Sequence, residues 1–517
     1  LARVEEARGL WRDGVTLPLG GIVDVRPFVA RAAKDATLLA TEILACGRVI
    51  DGTAALRRFA RGREPVLPHL APQLLALPDL GDLGHDIAAA IEPSGNLRDG
   101  ASPALAQARS RVQGLQQKLS QQIEAYLQDP AFAAHLQDQY FSVRGDRYVL
   151  PIVAQARNHV PGIVHNTSNT GQTVFIEPQA LIPLGNALAI ALSEVRAEEQ
   201  RILAMFSAEL GQAAAGLLAA SAQIGFLDAT MAAAHMAEDI DATTPRLEPA
   251  NGCLRLSGVR HPRLLLAGHK VVPNTVALPE GVAALVISGP NAGGKTVSLT
   301  AAGLCALMVR AGLPIPAAAG ARVPLYDGVH CAIGDAQDMQ AGLSSFSAHL
   351  HALKDILQLG RQGWLVLIDE IGADTDPQEG AAIARAALVA LVTAGTQVLV
   401  TTHLEEIKAL GVVDARFANA RVGFDLHSLR PTYSLEMGAA GSSNALAVAA
   451  QVGLPADVLA AAKNYLSDRG LLSAALGQLA DQQAALAAER TAAARAREAL
   501  ASERQAVAAQ AQALAQA

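Results

Sequence analysis

Two cysteines close enough to share a metal ion or a disulfide are missing from this sequence: Cys46, Cys253, Cys305 and Cys331 stand far apart, with no C-x-x-C pair. That excludes zinc-ribbon and disulfide-framework readings and leaves reduced thiols, as in cytoplasm. An excess of positive charge is missing too, since 48 Asp and Glu outnumber 41 Lys and Arg. A general polycation is thereby excluded, so any nucleic-acid partner has to be met by a local basic patch or by shape. No apolar run of membrane-spanning length without charges is present, and no signal peptide opens the chain. A cytoplasmic protein without a membrane partner is expected. The opening Leu1-Ala2-Arg3-Val4-Glu5-Glu6 carries no methionine and reads as the inside of a helix, while the last residues form a helical repeat without a stop signal. Both ends read as cut.

What is present centres on Gly289-Pro290-Asn291-Ala292-Gly293-Gly294-Lys295-Thr296. The apolar run from Val282 to Ser288 before it predicts a buried strand, and the Ala/Leu-rich Val297–Arg310 after it predicts a helix. Strand, glycine turn and helix make G-x-x-x-x-G-K-[ST] a phosphate-binding loop. Its backbone N–H groups face a polyanion, helped by the positive end of the helix. Lys295 then reaches the β- and γ-phosphates, and Thr296 offers its hydroxyl to Mg²⁺. A second apolar strand, Trp364–Ile368, ends in Asp369-Glu370. Asp369 is placed to hold Mg²⁺ through water and Glu370 to orient or deprotonate an attacking water, which is most of what phosphoryl transfer requires. A third, Gln397–Val400, runs into Thr401-Thr402-His403, putting His403 at the strand edge where open parallel sheets bind ligands. The catalytic set is therefore Glu370, His403 and Lys295, with Thr296 and Asp369 for the metal.

A chain of 517 residues, 51% hydrophobic and 17% charged, has room for several domains. Residues 1–100 read as an irregular helical core. Residues 101–141 and 181–245 read as lever helices, the second about 80 Å long if unbroken from Leu181 to Ala237. The alternative is two or three helices joined at Gly211, Gly216 or Gly225. Between the levers, residues 142–180 change to a two-residue period, with turns at Gly145-Asp146 and Asn169-Thr170-Gly171, and so predict a small β clamp. Arg144, Arg147, Arg157 and His159 are its candidates for meeting a phosphate backbone. Strand–helix alternation over 250–455 predicts the ATPase domain. Residues 456–517 read as a helical linker with half a coiled-coil seam, from Leu472 to Leu514 at seven-residue spacing.

Together these pieces resemble the MutS family of ABC-type ATPases. The resemblance rests on the phosphate loop, Asp369-Glu370, Thr375-Asp376-Pro377, Thr401-Thr402-His403, Arg260-His261-Pro262 and Leu343-Ser344-Ser345-Phe346-Ser347. It implies a multidomain α and α/β fold: helical core, long levers, a small β clamp, a P-loop ATPase domain and a C-terminal helix. It also implies ATP and Mg²⁺ as cofactors and a homodimer in which Ser344 and Ser345 reach the partner's γ-phosphate. Val271 and Val272 match the positions that pack adenine, and Val297 follows the loop. The run from Val160 to Pro178 looks like the second bacterial paralogue branch, the recombination suppressor. That branch is expected to act on branched or damaged DNA, or on ribosomal RNA within collided ribosomes. Its small C-terminal nuclease domain has no counterpart here, so nuclease activity is not expected of this chain. Asp374 departs from an expected glycine. The competing readings are a structural dimer that uses ATP as a latch and a chromosome-organising ATPase of the SMC kind. The latter would carry a Leu-Ser-Gly-Gly signature, which is not found.

Overall fold

The computed structural model describes residues 1–144, 147–290, 293–334, 345–373, 375–425, 430–441 and 445–467. The expected turn at Gly145-Asp146, the departure at Asp374 and the heptad run from Leu472 lie outside them. The chain divides into two compact units, Gly14–Thr230 and Leu1–Asp13 with Met231–Ala517.

In the Gly14–Thr230 unit the Pro103–Gln128 helix starts where the Ser102 hydroxyl accepts from the Leu105 N–H at 3.0 Å, with proline in the first turn. Its buried Leu105, Val112, Leu119 and Ile123 share one face. Three of them join Leu188 and Ala191 of the Ile182–Gln212 helix in one core. Burying side chains of this size stabilises by about 1.5–3 kcal/mol each. Arg109 to Glu199 at 2.8 Å and Arg111 to Glu194 at 3.0 Å line the seam.

The stretch expected as one long arm is two helices, Ile182–Gln212 and Ala214–Asp239, interrupted at Ala213, where ψ is 4°. Just before the break Gly211 lies so close to the Ala32 carbonyl that a Cβ would stand 2.6 Å from its oxygen. By length and hydropathy the Ala214–Asp239 helix could cross a membrane. However, Leu217, Ala220, Ile224 and Leu227 are buried at helical spacing, as on a helix packed along one face.

In the region expected as a clamp, four strands, β1 (Ser142–Arg144), β2 (Arg147–Val153), β3 (Gly162–Thr167) and β4 (Thr173–Pro178), form an antiparallel sheet in the order β1-β2-β4-β3. Leu150 faces Ile176 across β2 and β4, and both enter the core shared with the two helices.

The other unit begins with the Ala2–Arg12 helix. Its Arg8 is buried and bonds Glu238 at 2.7 Å, and its Trp11 ring lies 4.3 Å from His235. The first thirteen residues thus pack with the later part of the chain. A small sheet in the order β5-β9-β6-β7 comprises β5 (Arg246–Glu248), β6 (Leu254–Val259), β7 (Asn274–Leu278) and β9 (Arg322–Pro324). It packs on a six-stranded sheet ordered β10-β11-β12-β8-β13-β14. These strands are β8 (Ala284–Ser288), β10 (Gly328–Ala332), β11 (Trp364–Ile368), β12 (Gln397–Thr402), β13 (Phe417–Asp425) and β14 (Arg430–Met437).

All pairs in the large sheet are parallel except β13 with β14. Its central strands are apolar on both faces because both are covered. Leu285 and Ile287 face the Lys295–Arg310 helix, whereas Ala284 and Val286 face the helices Ser345–Leu359 and Pro377–Thr393. Ser288 stands opposite Thr402, and Val400 opposite Ile368. Three strands therefore end at one edge, and the residues that follow them are brought together.

Candidate functional site

The site is built on that edge. After β8 the chain turns at Gly289, whose φ of +133° suits glycine alone, and a Cβ there would lie 2.6 Å from the Val422 side chain. Pro290 follows, and its carbonyl accepts from the Gly293 N–H at 2.9 Å; Asn291 and Ala292 are outside the described residues. Gly294, with φ +90°, caps the Lys295–Arg310 helix. The helix thus opens with N–H groups unclaimed by its own turn and with its positive end at the loop.

Lys295 is 2% exposed and donates its ammonium to the Gly289 carbonyl at 2.8 Å. Burial holds its pKa below the ordinary lysine value; Glu370 and Asp369 pull it back up, and Lys408 adds to the lowering. Thr296 donates its hydroxyl to Asp369 Oδ2 at 2.7 Å. A hydroxyl oxygen and a carboxylate side by side are hard donors of the kind Mg²⁺ takes in nucleotide sites. The loop, the helix end, Lys295 and this oxygen pair fit a nucleotide triphosphate with its divalent cation.

Asp369 and Glu370 continue β11, and their turn is fixed from β12. Thr401, fully buried, donates its hydroxyl to Asp369 Oδ1 and accepts the Glu370 N–H at 2.8 Å. Glu370 itself has φ +48°, a left-handed conformation that costs a non-glycine residue on the order of 1–3 kcal/mol. The Asp376 carboxylate caps the next helix by accepting from Gln378 and Glu379 N–H. His403 is exposed, one residue past β12. Ser344 lies outside the described residues, and Ser345 opens the Ser345–Leu359 helix. Val271 is half-buried and Val272 and Val297 are exposed, Val271 and Val272 just ahead of β7.

Two features of the site escape a reading of the sequence. Tyr433 on β14 has φ +57°, is 52% exposed, and puts Cδ1 3.2 Å from where a Gly294 Cβ would be. Asn274 holds it there, donating to the Tyr433 carbonyl at 2.9 Å and accepting the Leu435 N–H at 2.8 Å. Nothing in the run Arg430–Met437 marks the tyrosine; only its bonding to Asn274 does. The second is a buried bracket behind the loop. Ser288 Oγ accepts the Gly441 N–H at 2.7 Å, and Lys408, 5% exposed, donates to the Gly441 carbonyl at 2.9 Å.

The four basic candidates of the clamp divide. Arg147 pairs with Glu177 at 3.3 Å, and His165 reaches the other oxygen of the same carboxylate at 2.7 Å. Glu177 is 2% exposed, so the arginine's charge is taken up internally. Arg144 lies 4.7 Å over the Phe175 ring and is exposed, as are Arg157 and His159.

Residues 285–469 match MutS domain V. Among curated relatives, a protein named Endonuclease MutS2 from Anaeromyxobacter sp. (strain Fw109-5) is 46% identical over 94% of this chain and 62% of its own length. One of the same name from Pelotomaculum thermopropionicum is 39% identical over 89% of this chain and 58% of its own. A third, from Bacillus velezensis, is 35% identical over 90% and 60%. The chain spans about three-fifths of the length of these relatives.

Proposed function

We propose that this chain, a homologue of the bacterial MutS2 proteins over about nine-tenths of its own length, is an ATP-hydrolysing clamp that works as a homodimer. The observation that carries this reading is the convergence of Lys295, Thr296, Asp369 and Glu370 on one edge of the parallel sheet. ATP with Mg²⁺ supplies the electrophilic terminal phosphoryl group and neutralises charge on its oxygens. Lys295 and the first N–H groups of its helix bind the phosphates. Thr296 and Asp369 offer oxygens to the cation. Glu370 orients the attacking water and takes its proton, and His403 donates towards the terminal phosphate. Val271, Val272 and Tyr433 pack the base. Ser344 and Ser345 reach the partner's nucleotide, and when that contact is lost after hydrolysis the paired arms change spacing.

The clamp is assigned to branched or damaged DNA, or to ribosomal RNA within collided ribosomes, with exposed Arg144, Arg157 and His159 meeting phosphate. The relatives are named as endonucleases, and no nuclease step is assigned to this chain. Steady-state turnover of Glu370→Gln tests the chemistry: a loss of at least 100-fold is expected for removal of a general base. Turnover equal to wild type would favour a dimer latched by ATP. Sedimentation in ADP, ATP and a non-hydrolysable analogue tests the dimer, which is expected to tighten with the triphosphates only. Isolation of the Glu370→Gln protein from cells, followed by sequencing of the retained nucleic acid, distinguishes DNA from ribosomal RNA.

A further inference from the structure

We infer that Thr401 is a positioning residue for turnover: its one hydroxyl sets the direction of the Asp369 carboxylate and holds the Glu370 backbone in its left-handed conformation. The inference rests on the ATPase reading of this site. A threonine hydroxyl has one proton to give and lone pairs to receive. Here the proton goes to Asp369 Oδ1, and a lone pair takes the Glu370 N–H at 2.8 Å. The Thr401 carbonyl adds a third link, accepting the Ile371 N–H at 3.2 Å. One residue on β12 thus grips three consecutive residues that follow β11.

The grip matters because Glu370 is not at rest in a common backbone well. With φ at +48°, it keeps this conformation only because its surroundings over-determine it. Two of the restraints come from Thr401, which has no exposed surface and is locked in register against Ile287 of β8. Without the hydroxyl the Glu370 N–H is left without its partner, and the peptide is free to turn to negative φ. That rotation redirects the Glu370 side chain. The next residue does not substitute for it, since the Thr402 hydroxyl accepts from the Leu404 N–H at 3.0 Å instead.

Thr401→Val keeps the volume and the branched shape but removes the hydroxyl; Thr401→Ser keeps the hydroxyl and removes the methyl. In the full chain, Thr401→Val is expected to lower kcat about 100-fold while changing KM for ATP and the affinity for a fluorescent ATP analogue by less than about 3-fold. Thr401→Ser is expected to restore kcat to within about 3-fold of wild type. Wild-type kcat in Thr401→Val would overturn the inference. So would equal loss in the serine and valine variants at unchanged melting temperature, because the methyl rather than the hydroxyl would then be the active part. Should the valine variant fail to fold, Thr401→Ala carries the same expectation. Glu370→Gln is measured alongside: if it turns over like wild type, the ATPase reading fails and takes this inference with it. If it is dead while Thr401→Val is fully active, only the role of Thr401 fails.

Discussion

The Thr296 hydroxyl donates to Asp369 at 2.7 Å, joining the first turn of a helix to the end of a strand 73 residues later. The parallel register of β8, β12 and β11 brings them together. The pair presents two oxygens beside the phosphate loop, where a small hard cation is required for phosphoryl transfer.

Asp369→Asn removes the negative charge but keeps the shape. It is expected to raise the Mg²⁺ concentration for half-maximal turnover by about 10-fold or more, since an amide oxygen is a weaker ligand than a carboxylate. A magnesium titration of ATPase rate at saturating ATP checks this. An unchanged midpoint would remove Asp369 from the metal site.

Tyr433 is expected to stack on the nucleotide base. Tyr433→Ala should weaken ATP binding about 5–100-fold, the range for loss of one aromatic stacking partner, and leave kcat largely unchanged. Tyr433→Phe should stay close to wild type, because the ring and not the hydroxyl makes the contact. Equilibrium binding of a fluorescent ATP analogue, compared with free tripolyphosphate as competitor, reads the base contribution directly.

The buried ammonium of Lys295 gives two opposite pH trends. Its folded-state pKa lies below the ordinary 10.5, chiefly through burial. As pH rises through that depressed value the ammonium is lost and phosphate loses its cation, so ATP affinity should fall before pH 10.5. The nucleotide-free protein behaves the other way. There the folded state disfavours the charge that the unfolded chain carries freely, so this residue's cost to stability fades as pH rises from the depressed pKa towards 10.5. Isothermal titration with ATP and chemical unfolding, each as a function of pH, should show the crossing.

Arg144 and Arg147 should separate cleanly. Arg147→Ala leaves the buried Glu177 carboxylate with His165 alone and should destabilise the clamp by about 1–3 kcal/mol, read from urea unfolding of the full chain. Arg144→Ala should cost no more than about 1 kcal/mol of stability, the worth of its exposed contact with the Phe175 ring, but weaken binding to branched DNA and to ribosomes, lowering the salt slope by about 1. Equal affinity and slope would exclude Arg144 from the nucleic-acid face.

Much of the site could be read in one dimension. A phosphate loop is a local object: strand, glycines at left-handed positions and a helix start are all encoded within a few residues, as at Gly289, Gly294 and Lys295. The same holds for Asp369-Glu370 and for the alternation that marks β2 and β4, because burial on one or both faces writes its period into adjacent positions. The arm from Leu181 was less legible, since the sequence offered Gly211, Gly216 and Gly225 equally and the interruption falls at Ala213.

What the sequence by itself determined is therefore the phosphate loop, the strands that lead to it and to Asp369 and Thr401, and the chemical groups at their ends, each specified by its nearest neighbours. Only the tertiary structure decided that Asn274 brings Tyr433 against Gly294, that Glu177 claims Arg147, and that Thr401 holds Glu370 at positive φ. These choices depend on residues from 30 to 159 positions apart being closed onto one another by sheet register and burial. No periodicity along the chain carries that information, because the free energy that selects such pairs exists only once the sheet has formed.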